Sequence, residues 1–284
     1  TRRESAGARR GFRNHFLQIP VVDIWIRILR KSLQKRFPDL LLKSSSFKPI
    51  LTYDIDVAYK FKGRSVGRTI GAMGKDLLAW NWRNLIQRKL TLLHLRKDPW
   101  DTYDSLSETI KKNKLDSRFF FLLADKGRHD RNLDWHGTSM KKLVHKIQTF
   151  SEAGIHPSYH TSTTPEKILL EKQRLEELGG KKINKSRQHF LKFTLPETYN
   201  ALLDAGILED YSMGFSSIHG FRAGTCTPFY FYDLKKEKAT NLKIFPVTFM
   251  EGTFISNNKP DDALQEMLKI MEEVNNVGGT FISI

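Results

Sequence analysis

From about residue 100 onward, short apolar runs alternate with amphipathic stretches of helical length. The apolar runs are SRFFFLL, GIHPSY, INKSRQHF, ILEDYSM, NLKIFPVTF and GTFISI. Helical patterns occupy residues 102–113, 138–150, 165–178, 196–205 and about 260–276. Strands separated by helices of this length indicate parallel βαβ units. With six or seven strands and few candidate edge strands, we predict an α/β fold: an irregular parallel (β/α)7-type barrel rather than an open sheet. No GxGxxG motif follows the first strand, which argues against a dinucleotide-binding fold.

The residues before this alternation carry most of the positive charge. Residues 1–50 hold 12 Lys and Arg against 3 Asp and Glu, and residues 51–100 hold 10 against 4, so these hundred residues account for +15 of the formal +16. Residues 1–46 are predicted to be a basic tail and an amphipathic helix (21–37, ended by Pro38), the remnant of an upstream domain. Residues 47–284 are predicted to form the barrel, with extra basic amphipathic helices inserted at about 63–97.

Composition limits the class of protein. Hydrophobic residues make up 39% of the chain and aromatic residues 11%, which is enough to build a core. The longest strongly apolar run, residues 119–124, is too short to cross a bilayer. A single cysteine, Cys226, excludes an internal disulfide and a cysteine-rich zinc site. We therefore expect a cytoplasmic or membrane-peripheral location, while a chain that begins at Thr1 leaves room for an upstream signal.

Two carboxylates lie in the first strand-like segment, LTYDIDVAY, where Asp54 and Asp56 are two residues apart. In an extended segment, residues i and i+2 share one face, so both could reach one cation. The alternative is a strand end at which one aspartate caps a turn. Similar polar residues end other strands: His156 and His160, Arg187 and His189, Asp210 and Tyr211. The carboxyl ends of strands are where parallel barrels keep their reactive groups.

The segment HPSYH supplies two histidines at i and i+4. If Pro157 opens a helical turn, His156 and His160 project from one face. Two imidazoles and one carboxylate leave open positions on a divalent cation, as catalytic metal sites require. Such a pair alone is often incidental. Together with the two aspartates of the first strand it predicts a metal site.

The order of the motifs TYDID, HPSYH and SRQHF resembles that of the polysaccharide deacetylases with a NodB homology domain, the carbohydrate esterase family 4 type. The likeness covers roughly residues 48–284. It is greatest to a bacterial subgroup with TYDIDxAY, GIHPSY, KSRQHF, FRAGTCTPFYFYDL and a final GTFIS. The resemblance implies an irregular parallel (β/α) barrel.

The same resemblance implies roles for individual residues. It makes Asp54 the catalytic base, oriented by Arg187, and it makes Asp56, His156 and His160 the ligands of one divalent cation, zinc first, with cobalt or nickel also accepted. Phe190 stands where the family has a tyrosine whose backbone N–H is an oxyanion donor.

The sequence departs from the family pattern in several places. Pro157 replaces the usual serine or threonine, and Arg-Gln-His-Phe replaces Arg-Pro-Pro-Tyr. The family's general-acid histidine follows the last strand, so we expect the acid beyond Ile284, or His189 in its place. Tyr211 and Arg222 are candidate substrate-binding residues, with core packing and a loop salt bridge as the respective alternatives.

These patterns predict a metal-dependent hydrolase that removes N-acetyl groups from amino sugars of a bacterial glycan or glycan precursor. The expected partner is an N-acetylated glycan or a lipid-linked sugar. The alternative is a catalytically inactive protein of the same fold that binds or assembles glycans. The basic, tryptophan-bearing segment 63–97 also predicts contact with an anionic membrane surface. Nucleic-acid binding is the least favoured interpretation because no nucleic-acid motif is present.

Overall fold

The structure, a computed structural model, describes residues 16–43, 45–253 and 260–284. The predicted tail over residues 1–15 lies outside the described residues. The α-helices of the described chain are α1 (Val21–Arg36), α2 (Val66–Leu78), α3 (Trp82–Leu92), α4 (Tyr103–Lys112), α5 (Thr138–Ile147), α6 (Glu166–Gly179), α7 (Glu197–Asp204) and α8 (Pro260–Val277). The strands are β1 (Lys48–Ile55), β2 (Asp116–Phe121), β3 (Glu152–Ile155), β4 (Lys185–Ser186), β5 (Glu209–Asp210), β6 (Phe229–Asp233), β7 (Lys238–Ile244) and β8 (Thr280–Ser283). None of the helices in these ranges is long and apolar enough to cross a bilayer.

The strands form one curled sheet in the order β6-β7-β5-β4-β3-β2-β1-β8. Neighbouring strands are parallel except for β6 and β7, which are antiparallel. The chain that leaves β7 crosses to β8: the Thr248 N–H donates to the Ile282 carbonyl at 3.0 Å, and the Ile284 N–H donates to the Phe249 carbonyl at 3.0 Å. These bonds join the β8 edge of the sheet to the continuation of β7, which confirms the predicted irregular α/β barrel.

The apolar run of β2 shows why the sheet curls around a closed interior. Phe119 and Phe121 pack with the helices on the outer side of the sheet. Phe120, between them, faces the interior and packs with Tyr211 and Phe245. A strand buried on both faces has no polar side, and this is why the FFF run shows no alternation.

Strand β6 was not predicted. Its first four residues, 229–232, are all aromatic. The structure places them in an antiparallel edge strand, with Phe231 buried and Tyr230 and Tyr232 exposed.

Helix α1 is anchored to the barrel through one buried carboxylate. Asp23 accepts hydrogen bonds from the Thr225 hydroxyl (2.9 Å), the Cys226 N–H (2.8 Å) and the Thr227 hydroxyl (2.6 Å). The GTCTPF motif is therefore a docking site for this helix. Burial raises the pKa of the Cys226 thiol, and the neighbouring carboxylate raises it further, so the thiol stays protonated.

Gly220 lets the segment before α1, at Leu17, lie close to this docking site. Its φ is +133°, and an added Cβ would lie 2.2 Å from the Leu17 carbonyl oxygen. Only glycine accepts both that conformation and that contact.

Strands β3, β4 and β5 are shorter than the sequence patterns suggested, at four, two and two residues. The polar residues that follow them therefore lie in loops at the carboxyl end of the sheet. The loop after β4 turns sharply, because Phe190 and Leu191 both have positive φ, at +59° and +48°. Two such residues in succession are uncommon outside glycine, and strained backbone of this kind clusters at functional sites.

Candidate metal centre and active site

Three strands bring the predicted reactive residues together at one end of the barrel. Asp54 and Asp56 come from the end of β1, His156 follows β3, and Arg187 and His189 follow β4. β1 is paired with β2, β2 with β3 and β3 with β4. The carboxyl ends of these strands therefore lie side by side, at the end of the barrel where reactive groups are expected.

Asp56, His156 and His189 form a compact cluster of metal-ligating groups. Asp56 Oδ1 lies 3.3 Å from His156 Nε2, and Asp56 Oδ2 lies 3.5 Å from His189 Nε2. One ligand atom from each residue falls within 4.8 Å of the others. Both histidines are buried and Asp56 is half exposed. Two imidazoles and a carboxylate with one open side are the donor set of a catalytic divalent cation.

Hydrogen bonds on the far side of each ring point both Nε2 atoms at this cluster. His156 Nδ1 lies 2.5 Å from the Arg187 carbonyl oxygen, which can only accept, so Nδ1 carries the proton. His189 Nδ1 lies 3.0 Å from Asp130 Oδ1. Partners of this kind fix the tautomer and the orientation of metal-binding histidines. The residues present therefore fit a divalent cation of the zinc, cobalt or nickel type.

The charges of the cluster shift its pKa values. Burial alone would raise the pKa of Asp56, but hydrogen bonds and charges from His156 and His189 hold it well below its usual range. Burial alone would lower the pKa of His189, but Asp130 and Asp56 outweigh it and raise the pKa to about 9. Without a cation, His189 is therefore protonated at neutral pH and paired with Asp56 and Asp130.

Asp130 was missed by the sequence analysis. It lies in the loop that follows β2, is 2% exposed, and also accepts a hydrogen bond from the Tyr159 N–H at 3.0 Å. Burial alone would raise the pKa of Asp130, but the bonds from His189 and Tyr159 lower it, so it stays ionised. The expectation that reactive residues follow the carboxyl ends of strands could have found Asp130, because the GRHDRN loop follows β2 as HPSYH follows β3.

A second buried acid supports the histidine loop. The Glu171 carboxylate, on α6, accepts the Ser158 N–H at 2.9 Å, and burial raises the pKa of Glu171. The loop that carries His156 is therefore tied to α6 as well as to Asp130.

The predicted ligand His160 is not part of the cluster. Ser158 is extended, with ψ of 165°, so no helical turn runs from His156 to His160. A short 3-10 helix begins only at Tyr159, and His160 is exposed, with its ring edge-on to Tyr159 at 5.5 Å. His189, which we had considered as an acid, occupies the third position of the cluster instead.

Arg187 orients the predicted base. Its guanidinium is fully buried and donates from Nη1 to Asp54 Oδ1 (3.0 Å), from Nη2 to the Thr52 hydroxyl (2.6 Å) and from Nε to the Tyr211 carbonyl (3.0 Å). It also lies over the Phe120 ring at 4.6 Å. The other Asp54 oxygen, Oδ2, lies 3.7 Å from His156 Nε2, on the cluster side.

Two of the predicted substrate-binding residues contact other parts of the protein. Tyr211 is fully buried, stacks on Phe245 at 4.6 Å and donates its hydroxyl to Glu209 at 2.8 Å, so it is a core residue and cannot contact a substrate. Arg222 is exposed, donates to the Gly214 carbonyl at 2.9 Å and lies over the Phe193 ring at 4.4 Å.

Phe190 remains beside the cluster. It is 44% exposed, and its ring centre is 4.2 Å from that of His189. Tyr159 and His129 stack on each other at 4.1 Å and meet Phe190 edge-on. The cluster thus has an aromatic surface on one side. On another side, a cavity of about 410 Å³ is lined by Asp54, Trp100, Phe249 and Glu251, among other residues.

Comparisons with known proteins agree with this fold. No family model matches the sequence, and no curated protein matches it. Among solved structures, a Mycobacterium smegmatis protein classed as a polysaccharide deacetylase superimposes with a TM-score of 0.55 at 13% identity, over 86% of this chain and 78% of that one. A Pseudomonas aeruginosa protein of the same class has a TM-score of 0.49 at 10% identity, over 84% and 77%. A family 4 carbohydrate esterase from Streptomyces lividans, in complex with acetate, has a TM-score of 0.36 at 10% identity, over 85% and 94%.

Only the first of these likenesses is large enough to argue from, and it concerns the fold. The chain has the polysaccharide deacetylase fold, which confirms at the level of structure the resemblance seen in the motifs. Its candidate site lies at the end of the barrel where such folds keep their chemistry.

Proposed function

We propose that this protein is a metal-dependent hydrolase that removes N-acetyl groups from amino sugars of a bacterial glycan or glycan precursor. One observation carries the proposal: the Asp56, His156 and His189 cluster lies beside Asp54, whose carboxylate is held by a fully buried arginine. A fold shared with a protein classed as a polysaccharide deacetylase supports the same conclusion.

Asp56, His156 and His189 would hold the cation, which we expect to be zinc, with cobalt or nickel as alternatives. When bound, a cation of this type polarises the acetyl carbonyl and lowers the pKa of a water molecule. The remaining steps belong to side chains of this chain.

Asp54 is the proton acceptor in this proposal. Arg187 engages its Oδ1 and leaves Oδ2 on the side of the cluster, where Oδ2 would take a proton from the water that attacks the acetyl carbonyl. The Phe190 N–H, in the strained turn after His189, is the proposed oxyanion donor. Because His189 belongs to the cluster, we assign the acid that protonates the departing amine to none of the described residues.

A catalytically inactive glycan-binding protein is the second candidate. It would need the fold and an aromatic surface, but not a base fixed by a buried arginine or a histidine fixed by a buried aspartate. Burying Arg187 and Asp130 has a desolvation cost that binding alone does not explain. The hydrolase is therefore favoured.

The decisive experiment measures bound metal by mass spectrometry and acetate release from N-acetylglucosamine oligomers. Wild type should hold close to one equivalent of metal. His189→Ala should lose it, and the matched variant His160→Ala should keep it. Asp54→Asn should keep the metal and lose acetate release, which separates binding from catalysis. A wild-type protein that takes up no supplied zinc, cobalt or nickel would refute the proposal, and so would loss of metal in His160→Ala alone.

A further inference from the structure

Helices α2 and α3 form a helical hairpin (residues 63–97) whose apolar side faces outward. No residue of α2 is buried. Val66, Ile70 and Leu77 follow one another at i, i+4 and i+11, on one face, and are 75%, 64% and 49% exposed. A helix on the surface of a soluble protein normally turns such a stripe toward the core.

Helix α3 repeats this arrangement. Its buried residues are Arg88 and Thr91, both polar, whereas Trp82, Ile86 and Leu93 share the opposite face and are about half exposed. Arg88 Nη2 lies 2.7 Å from Asp76 Oδ2 on α2, and these two side chains join the polar sides of the helices. Arg88 also lies over the ring of buried Phe61 at 4.7 Å, so its side of α3 faces the rest of the protein, and the apolar side of the hairpin is left uncovered in the described chain.

The charge of the hairpin indicates what covers this apolar side. Residues 63–97 contain eight Lys and Arg and one acid, Asp76, which is already paired with Arg88. Arg83 and Lys89 are exposed on α3 beside the apolar stripe. Trp80 is 78% exposed at the turn between the helices and meets Trp82 edge-on at 6.0 Å. Tryptophan, aliphatic residues and cations on one exposed surface are typical of helices that lie in a membrane interface.

We propose that the helical hairpin docks on the surface of a bilayer that contains anionic lipid. Its aliphatic stripe and tryptophans enter the headgroup region, and its cations contact lipid phosphates. A duplex nucleic acid would match the cations but not the aliphatic stripe, and a second copy of this chain would bring like charges together. The inference does not depend on the proposed enzymatic activity.

Docking would bring the candidate active site close to the bilayer. Helix α2 begins ten residues after Asp56, at the same end of the barrel as the cluster. The loop between β1 and α2 also shares a cavity with the loop that carries Asp130: Gly63, Arg64 and Arg68 face Lys126 and Asn132 across it. The docking itself is independent of the proposed function, but together with that function this geometry favours a membrane-bound glycan, such as a lipid-linked sugar, as the class of substrate.

Sedimentation with vesicles tests the proposal on the full chain. The vesicles are phosphatidylcholine alone, or phosphatidylcholine with about one-third phosphatidylglycerol. We expect binding to the anionic vesicles only, weaker at high salt. Arg83→Gln/Lys89→Gln should weaken it by about 30-fold, since each cation near the surface contributes about a factor of five. Ile70→Glu/Ile86→Glu should abolish it.

The matched control is Leu169→Glu/Leu170→Glu on α6, where both leucines are also exposed, at 44% and 43%. This control should bind like wild type, and circular dichroism should show every variant folded. The proposal is overturned by equal binding to neutral and anionic vesicles, or by unchanged binding of the Ile70/Ile86 variant. It is also overturned if wild type binds duplex DNA and no vesicles, or forms a dimer that the Ile70/Ile86 variant abolishes and binds no vesicles.

Discussion

Replacing Asp130 with asparagine should weaken metal binding although Asp130 is not one of the three proposed ligands. The carboxylate lies 3.0 Å from His189 Nδ1, is 2% exposed and also accepts the Tyr159 N–H. Asparagine keeps the shape and one acceptor oxygen but removes the charge that orients the imidazole and raises its basicity. Loss of such a partner typically weakens metal affinity by about 10- to 100-fold, or roughly 1.4 to 2.7 kcal/mol.

The assay is competition for zinc against a chelator of known affinity, with circular dichroism to confirm the fold. The matched control is Asp134→Asn, in the same loop, where the carboxylate is about half exposed and accepts from His136, from Nδ1 at 3.0 Å and from the backbone N–H at 3.1 Å. We expect the control to bind zinc like wild type. A folded Asp130→Asn protein with wild-type zinc affinity would refute the argument that His189 is a ligand held by Asp130.

Three further predictions follow from the same contacts. Arg187→Met should lower the free energy of unfolding by about 3 to 5 kcal/mol, measured with urea, because it leaves Asp54 without its buried partner. The variant should still bind metal. A loss of stability below about 1 kcal/mol would contradict the importance of the pair. Asp23→Ala should cost about 3 kcal/mol by the same measurement, because three donors including the Cys226 N–H lose their acceptor; unchanged stability would show that α1 is not anchored through this carboxylate. The pKa of His189 in the metal-free protein is raised to about 9. The contribution of protonated His189 to the free energy of unfolding is therefore complete below about pH 6.5 and is lost as pH rises through about 9. Unfolding in the presence of a chelator should therefore show a fall of at most about 3 kcal/mol over this range; a constant or rising stability would refute the sign, and added zinc should remove the fall.

Much of the barrel could be predicted because its signal is local. The alternation of apolar runs and amphipathic stretches gave helices within about two or three residues of α4 to α8, and it identified β3 and β4, two of the three strands that carry the site. Edge strand β6 escaped because its aromatic residues pair antiparallel with β7, a partner that parallel βαβ reasoning does not supply. The length of β4 escaped because the chain turns away after it through Phe190 and Leu191, both at positive φ, which periodicity does not report.

The site, like the fold, could be predicted only in part. Asp54 and Asp56 could be placed from the two-residue period of a strand, which is a property of the backbone alone. The partner of His156 could not be placed from spacing, because the HxxxH interpretation assumed a helical turn and Ser158 is extended. The true third member, His189, is 33 residues away in sequence and reaches the cluster only through the pairing of β3 with β4. Proximity in the chain was therefore a poorer guide than position at a strand end.

Arg187 fixes the position of Asp54, the proposed base, relative to the cluster. Its backbone carbonyl accepts the proton of His156 Nδ1, and its guanidinium holds Asp54 Oδ1. One residue that follows β4 thus orients both His156, a proposed metal ligand, and Asp54, the proposed base. Because the first contact uses the main chain and the second uses the side chain, a substitution at this position should disturb the base while leaving the histidine oriented.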